Sequence, residues 1–159
     1  MSTTSTNVSP QAAVTDQVDV RGPRFAAWVT TAVLLAVLLV SAISVPAAAA
    51  LLTVQAAVFA IGALRGPRRH PYGVIFAKLV APRLGPVTER EPVAPLRFAQ
   101  LVGLLFATVG VSGFVFGAPL LGVVATAFAL AAAFLNAAFG ICLGCQIYPL
   151  VTHLRHARS

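Results

Sequence analysis

Residues 25–64 read FAAWVTTAVLLAVLLVSAISV followed directly by PAAAALLTVQAAVFAIGAL, with no charged side chain anywhere in the run. An α-helix needs roughly 20 apolar residues to cross the hydrocarbon of a bilayer. The run therefore holds two spans, 25–45 and 46–64, joined by a very short turn at Val45-Pro46. Proline suits the first turn of the helix it opens, because the amide it lacks has no partner there anyway. A cleaved leader is the competing reading, and Ala47-Ala48-Ala49 offers small residues for it. Signal cores are only about 7 to 15 residues long, however. With a second apolar run directly behind it, the first is read as a span.

The same pattern returns further along. Residues 96–116 carry one charge, Arg97 at the very start, and an apolar run from Pro119 reaches residue 141, with a tight turn at Gly117-Ala118-Pro119 between them. The expectation is an all-α integral membrane protein, a four-transmembrane-helix bundle of two hairpins. Composition agrees: 58% of the 159 residues are hydrophobic and 9% charged, against about 25% charged in soluble domains. The domain reading is a disordered tail over 1–20, a membrane domain over 21–151 with its central loop at 65–95, and a basic tail over 152–159.

Charge sets the orientation. Arg21 and Arg24 precede the first span; Arg65, Arg68, Arg69, Lys78, Arg83, Arg90 and Arg97 belong to the central loop and its edge; Arg155 and Arg158 end the chain. The hairpin turns have none. The positive-inside rule then predicts that both termini and the loop are cytoplasmic, as in a bacterial inner-membrane protein. The net charge of +7 is thereby a topological signal, and no nucleic-acid partner is expected. Membrane lipids are the expected partners, with Arg24, Arg97 and Lys78 as candidate headgroup contacts, and a homo-oligomer is allowed.

Two spans open alike, Pro23-Arg24-Phe25-Ala26 and Leu96-Arg97-Phe98-Ala99. Either the hairpins are a parallel repeat, or each opening is the Arg-plus-aromatic anchor that any inward span end favours. In the loop, Tyr72, Ile75, Phe76, Leu79 and Val80 share one helical face between Pro71 and Pro82. This predicts a short interfacial helix, with packing across the bundle floor as the alternative. The Pro-rich remainder should be extended. Glu89 and Glu91 read as solvated loop charges, and Gln55 and Asn136 as amides facing the bundle interior.

The only cysteines are Cys142 and Cys145, at the end of the fourth span. Three readings stay open. Cys-x-x-Cys is a spacing at which two sulfurs on a turn close a disulfide, and structural disulfides are rare in the cytoplasm, so a redox dithiol is one. Its weakness is position, since a helix C-terminus disfavours a thiolate. Packing is the second, because cysteine behaves as a small apolar residue. The third is a metal site with His153 and His156. On one continuous helix all four side chains share a face, yet Cys145 and His153 would lie about 12 Å apart along the axis. A single zinc site therefore requires the chain to fold back at Tyr148-Pro149.

The openings RGPRFAAW and PLRFAQ, the loop sequence HPYGVIFAKLVAPRLGP and the terminal CLGC followed by Tyr148 resemble the bacterial membrane family known as domain of unknown function 4395. The resemblance covers residues 19–150. It implies kinship with four-span proteins of the DoxX type and a place beside rhodanese-like or thioredoxin-like proteins as partners. It lands on Cys142 and Cys145 and carries no established catalytic residue.

The functional expectation is an inner-membrane accessory in thiol redox or sulfur handling, with a cytoplasm-facing dithiol at Cys142 and Cys145. Electrons passing to a membrane quinone would fit, although no quinone motif is visible and the cofactor is unknown. The alternatives are a non-enzymatic anchor or assembly partner and a structural metal-binding protein. Spans without embedded charge argue against a transporter. No phosphate loop, Ser-His-Asp set or carboxylate pair points to a soluble-type enzyme.

Overall fold

A computed structural model describes residues 17–156, without the side chains of residues 152, 155 and 156. The expected tail over 1–16 and residues 157–159 lie outside that range. Four long apolar helices form the body: α1 (Arg21–Ser41), α2 (Val45–Arg65), α4 (Val93–Val115) and α5 (Pro119–Phe139). Each is long and apolar enough to cross a membrane. Between α2 and α4 lie the short helix α3 (Pro71–Ile75), a π-helical turn (Phe76–Val80) and a 3₁₀ turn (Ala81–Arg83). The chain closes with α6 (Leu143–His156).

Contacts run around a ring: α1 on α2, α2 on α4, α4 on α5, and α5 back on α1. Neighbours in the ring are antiparallel, so α1 and α4 point the same way. Leu34, Val37, Ala48, Leu52 and Ala107 fill the centre with no exposed surface. In lipid, association relies on close packing rather than on the hydrophobic effect. A Cβ on Gly113 would stand 2.5 Å from the Gly122 amide nitrogen, so α4 and α5 touch backbone to backbone. Outside, Leu39, Val54, Leu64, Leu105 and Leu120 are all more than 60% exposed, a surface suited to acyl chains.

The first span begins earlier than its apolar run. Asp19 accepts a hydrogen bond from the Arg21 amide at 3.0 Å and pairs with the Arg21 guanidinium at 2.8 Å, so helix starts at Arg21. Residues 17–20, expected in the disordered tail, are structured. Strand β1 (Gln17–Asp19) pairs antiparallel with β2 (Arg90–Pro92), Val18 opposite Glu91. The Val20 amide donates to Glu89, and Arg21 donates to the Gly85 carbonyl. A polar segment of three residues shows no period, so only its distant partner reveals the strand.

The two hairpins point the same way. β1 leads into α1, β2 leads into α4, and the two strands pair with each other. Arg97, near the start of α4, donates to the carbonyls of Ala63 and Leu64 at the end of α2, at 2.9 and 3.0 Å. Arg24, near the start of α1, holds its guanidinium beside Gly140 at the end of α5. Each cation thus stands at the negative end of a helix dipole in the opposite hairpin.

The stripe in the loop divides. Phe76 is buried beside Phe25, with ring centroids 5.8 Å apart, and Tyr72 donates from its hydroxyl to Gln55 at 2.8 Å. Ile75 and Leu79 are 44% and 57% exposed. The π-helical turn widens the residue spacing and sends one i, i+4 pair inward and the other outward. The segment packs on the bundle and also presents an apolar face outward.

Candidate functional site around Cys142, Cys145 and His70

Helix α5 does not carry the cysteines. It stops at Gly140, whose φ of 69° is left-handed, a conformation that favours glycine. The amides of Gly140 and Ile141 close back on the carbonyls of Asn136 and Leu135. A new helix follows at once. The Cys142 carbonyl accepts from the Gln146 amide at 3.0 Å, and the Cys142 sulfur accepts from the Cys145 amide at 3.3 Å. Cys142 therefore occupies the N-cap position of α6, and Cys145 lies in its first turn. This corrects the expected helix-C-terminal position. The pair stands where the helix dipole favours a thiolate.

The two sulfurs are within disulfide-bonding distance, with Cα atoms 5.2 Å apart, inside the range disulfides use. Close packing on α4 holds the site. A Cβ on Gly144 would lie 2.6 Å from the Ala99 Cα, so only glycine lets α6 approach this near. Tyr148 packs on Phe98 with ring centroids 5.9 Å apart.

The metal reading loses its geometric requirement. α6 runs unbroken through Pro149, so Cys145 and His153 stay about 12 Å apart along it. His153 is exposed, and the side chain of His156 lies outside the described residues. Among the described residues no group of three His, Cys, Asp or Glu side chains is placed to hold a metal ion.

Glu91 was read as a solvated charge and is half-buried. With Pro95, Gly140 and Gln146 it lines a cleft of about 250 Å³ that both cysteines share. Burial raises the pKa of its carboxyl, the nearby Glu89 raises it further, and Arg24 opposes them. A carboxyl that keeps its proton longer than usual thus stands beside the dithiol position.

A second cavity, of about 660 Å³, lies inside the same end of the bundle, with Cys142 but not Cys145 on its wall. Its polar lining includes His70, Gln100 and Asn136. His70 is 2% exposed, and burial lowers its pKa to about 4, with the Gln100 amide beside it offsetting part of that fall. Neither ring nitrogen has a partner at hydrogen-bonding geometry, nor does Oε1 of Gln100. Gly62 makes the space, since a Cβ there would meet the His70 ring at 2.6 Å and the Gln100 side chain at 2.9 Å.

Of the sequence candidates, Cys142 and Cys145 are brought together and Asn136 joins the cavity. Gln55 is buried and accepts from Tyr72. Arg24 and Arg97 stand at helix ends as described, and Lys78 is exposed on the loop. His70, Gln100 and Glu91 were missed. Gln100 carried a signal, a third amide within the apolar runs, whereas His70 in a basic loop looks like any exposed histidine.

The chain belongs to the family described as domain of unknown function (DUF4395), whose model matches residues 18–153. No curated protein and no solved structure matches it.

Proposed function

We propose that this protein is an accessory in thiol redox or sulfur handling in the bacterial inner membrane, with both termini cytoplasmic. In this reading Cys142 and Cys145 cycle between two thiols and one disulfide. The observation that carries it is the Cys145 amide donating to the Cys142 sulfur at the start of α6. That hydrogen bond and the helix dipole both favour negative charge on Cys142, as an attacking thiol requires. Gathering of the basic residues at one end of the bundle supports the orientation.

The chemistry is thiol–disulfide exchange. The Cys142 thiolate attacks a disulfide of a thioredoxin-like protein and displaces one of its sulfurs as a thiolate. Cys145 then attacks the mixed disulfide, releasing the partner as a dithiol and leaving Cys142–Cys145 oxidised; the reverse exchange with a more reducing cytoplasmic dithiol returns two electrons and restores both thiols. Glu91 takes up or returns the Cys145 proton across the shared cleft. With a rhodanese-like partner the same Cys142 would accept a persulfide sulfur, and Cys145 would release it as hydrosulfide while closing the disulfide.

The test is a redox titration. Purified protein in detergent is equilibrated in graded glutathione buffers and alkylated with a mass tag. Two tags should disappear together, with a midpoint within about −270 to −120 mV, the range of thiol oxidoreductases. Thiols that stay reduced throughout, with full cellular activity of a Cys142→Ala, Cys145→Ala variant, would leave packing as their role. Reporters fused near residue 85 and at residue 159 test the orientation, and a periplasmic signal from either would reverse it.

A further inference from the structure

Helix α6 carries an apolar stripe that the described residues leave largely uncovered. Leu143, Ile147, Leu150 and Leu154 recur at steps of four, three and four residues, so at about 100° per residue they fall within one sector of about 60°. Leu143 and Ile147 are 38% and 46% exposed where they border the larger cavity, and Leu150 and Leu154 continue the stripe at 62% and 60% exposed.

The same register gives α6 two further faces. Gly144 and Tyr148 lie about 110° to one side of the stripe, and they pack on Ala99 and Phe98 of α4. Cys142, Cys145, Gln146 and His153 lie, on average, about 110° to the other side. The first three of these line the outer cleft, and His153 is exposed. A helix with one face on protein, one polar face and one apolar face fits the boundary between a bilayer and water.

The depth of α6 fits that boundary too. Gly144 meets Ala99 and, one turn later, Tyr148 meets Phe98, so α6 crosses α4 rather than running along it. The crossing lies beside Arg97, at the charged end of that span, where basic and aromatic side chains meet headgroups. Phe139 and Ile141, both exposed, link the outer surface of α5 to the stripe. That continuity with the lipid-facing surface favours the bilayer over a second copy or a soluble partner as its cover. Arg155 and Arg158 in the closing sequence add positive charge that anionic headgroups favour.

We propose that α6 is an interfacial helix, seated in the bilayer by Leu143, Ile147, Leu150 and Leu154, and that it holds Cys142 and Cys145 at the membrane surface with the outer cleft turned to the water. A protein reaching the cleft then approaches along the membrane surface. The placement stands whether the cysteines serve redox chemistry or packing.

The test uses the full chain in vesicles of phosphatidylethanolamine and phosphatidylglycerol. Trp28→Phe removes the single tryptophan, and Leu150→Trp, Leu154→Trp or His153→Trp then places one probe at a time. Quenching is read with lipids brominated near the headgroup end or near the tail end of the acyl chain, and with iodide on both sides of the membrane. Interfacial helices bury their apolar face about 5–10 Å past the headgroup boundary. The probes at 150 and 154 should therefore answer most to shallow bromine, and the probe at 153 to iodide. Leu150→Glu, combined with the probe at 154, should lower the ratio of seated to free α6 about tenfold, the loss expected for one buried aliphatic side chain. Helix content by circular dichroism should stay nearly unchanged. Iodide quenching at 150 and 154 as strong as at 153, with no effect of bromine, would overturn the proposal. Stronger quenching by deep bromine would also overturn it, because α6 would then enter the hydrocarbon. Protection from both quenchers would place the stripe against protein and overturn it equally, with a second copy identified where protection grows with the protein-to-lipid ratio.

Discussion

The backbone amide of Cys145 points at the sulfur of Cys142, 3.3 Å away, in the first turn of α6. The two cysteines are therefore unequal despite their symmetrical spacing, because Cys142 receives a hydrogen bond at the positive end of the helix dipole. With each cysteine studied alone, in Cys145→Ser and Cys142→Ser variants, Cys142 should react faster with iodoacetamide at neutral pH. A factor of about two to five corresponds to the 0.3–1 kcal/mol that a helix N-terminus gives an anion. Equal rates would mean that the cap has no chemical consequence.

Glu91 should shape the pH dependence of exchange. Its carboxyl stays protonated to higher pH than an ordinary glutamate, chiefly because it is buried. The rate of exchange with reduced glutathione should then show an acid limb above the usual carboxylate range. Glu91→Gln should flatten that limb without changing the dithiol midpoint. A profile identical in the two proteins would remove Glu91 from the proton path.

Tyr72 and Gln55 join the loop to the bundle through one hydrogen bond. Tyr72→Phe strands the Gln55 carbonyl in a fully buried position. The expected loss is about 1–3 kcal/mol, the usual penalty for a buried group left unpaired. Adding Gln55→Leu removes the stranded group and should recover most of the loss. Thermal unfolding in detergent across the double-mutant cycle measures the coupling, and strictly additive losses would argue against it.

His70 predicts acid sensitivity. In the unfolded chain a histidine protonates below about pH 6.5, whereas folded His70 resists protonation until about 4. Between those values the unfolded state binds more protons, so stability falls as pH falls through the window and levels off beneath it. The shift corresponds to at most about 3 kcal/mol. Melting temperatures from pH 7.5 to 4 should drop more steeply for the wild type than for His70→Gln. Parallel curves would place His70 in contact with water.

Spans and turns were legible because they rest on local properties. Forty uncharged residues interrupted by Val45-Pro46 admit few other structures in lipid, where every backbone group must be paired within the segment. The expected span at 25–45 appears as α1, displaced to Arg21–Ser41, with Asp19 outside the apolar run accepting from the Arg21 amide at its first residue. The similar openings at Arg24 and Arg97 were visible too, although their common placement beside the opposite hairpin's helix end was not.

The chemistry of the site depended on relations that no window of sequence contains. The apolar run continues through Gly140 and Cys142, so hydropathy extends the fourth span over a break that backbone conformation makes. Whether a cysteine lies at the end of one helix or the start of the next turns on the left-handed φ at Gly140 and on the space Gly144 leaves against Ala99. His70 and Gln100, thirty residues apart, meet because Gly62 on a third segment leaves room for both. Glu91 reaches the cysteines because β2 is held by β1, whose partner lies more than seventy residues away in the chain. Composition and periodicity determined that this chain crosses a membrane and where. Helix packing, which acts between residues distant in sequence, decided which polar groups were buried, which were left unpaired, and which faced the cysteines.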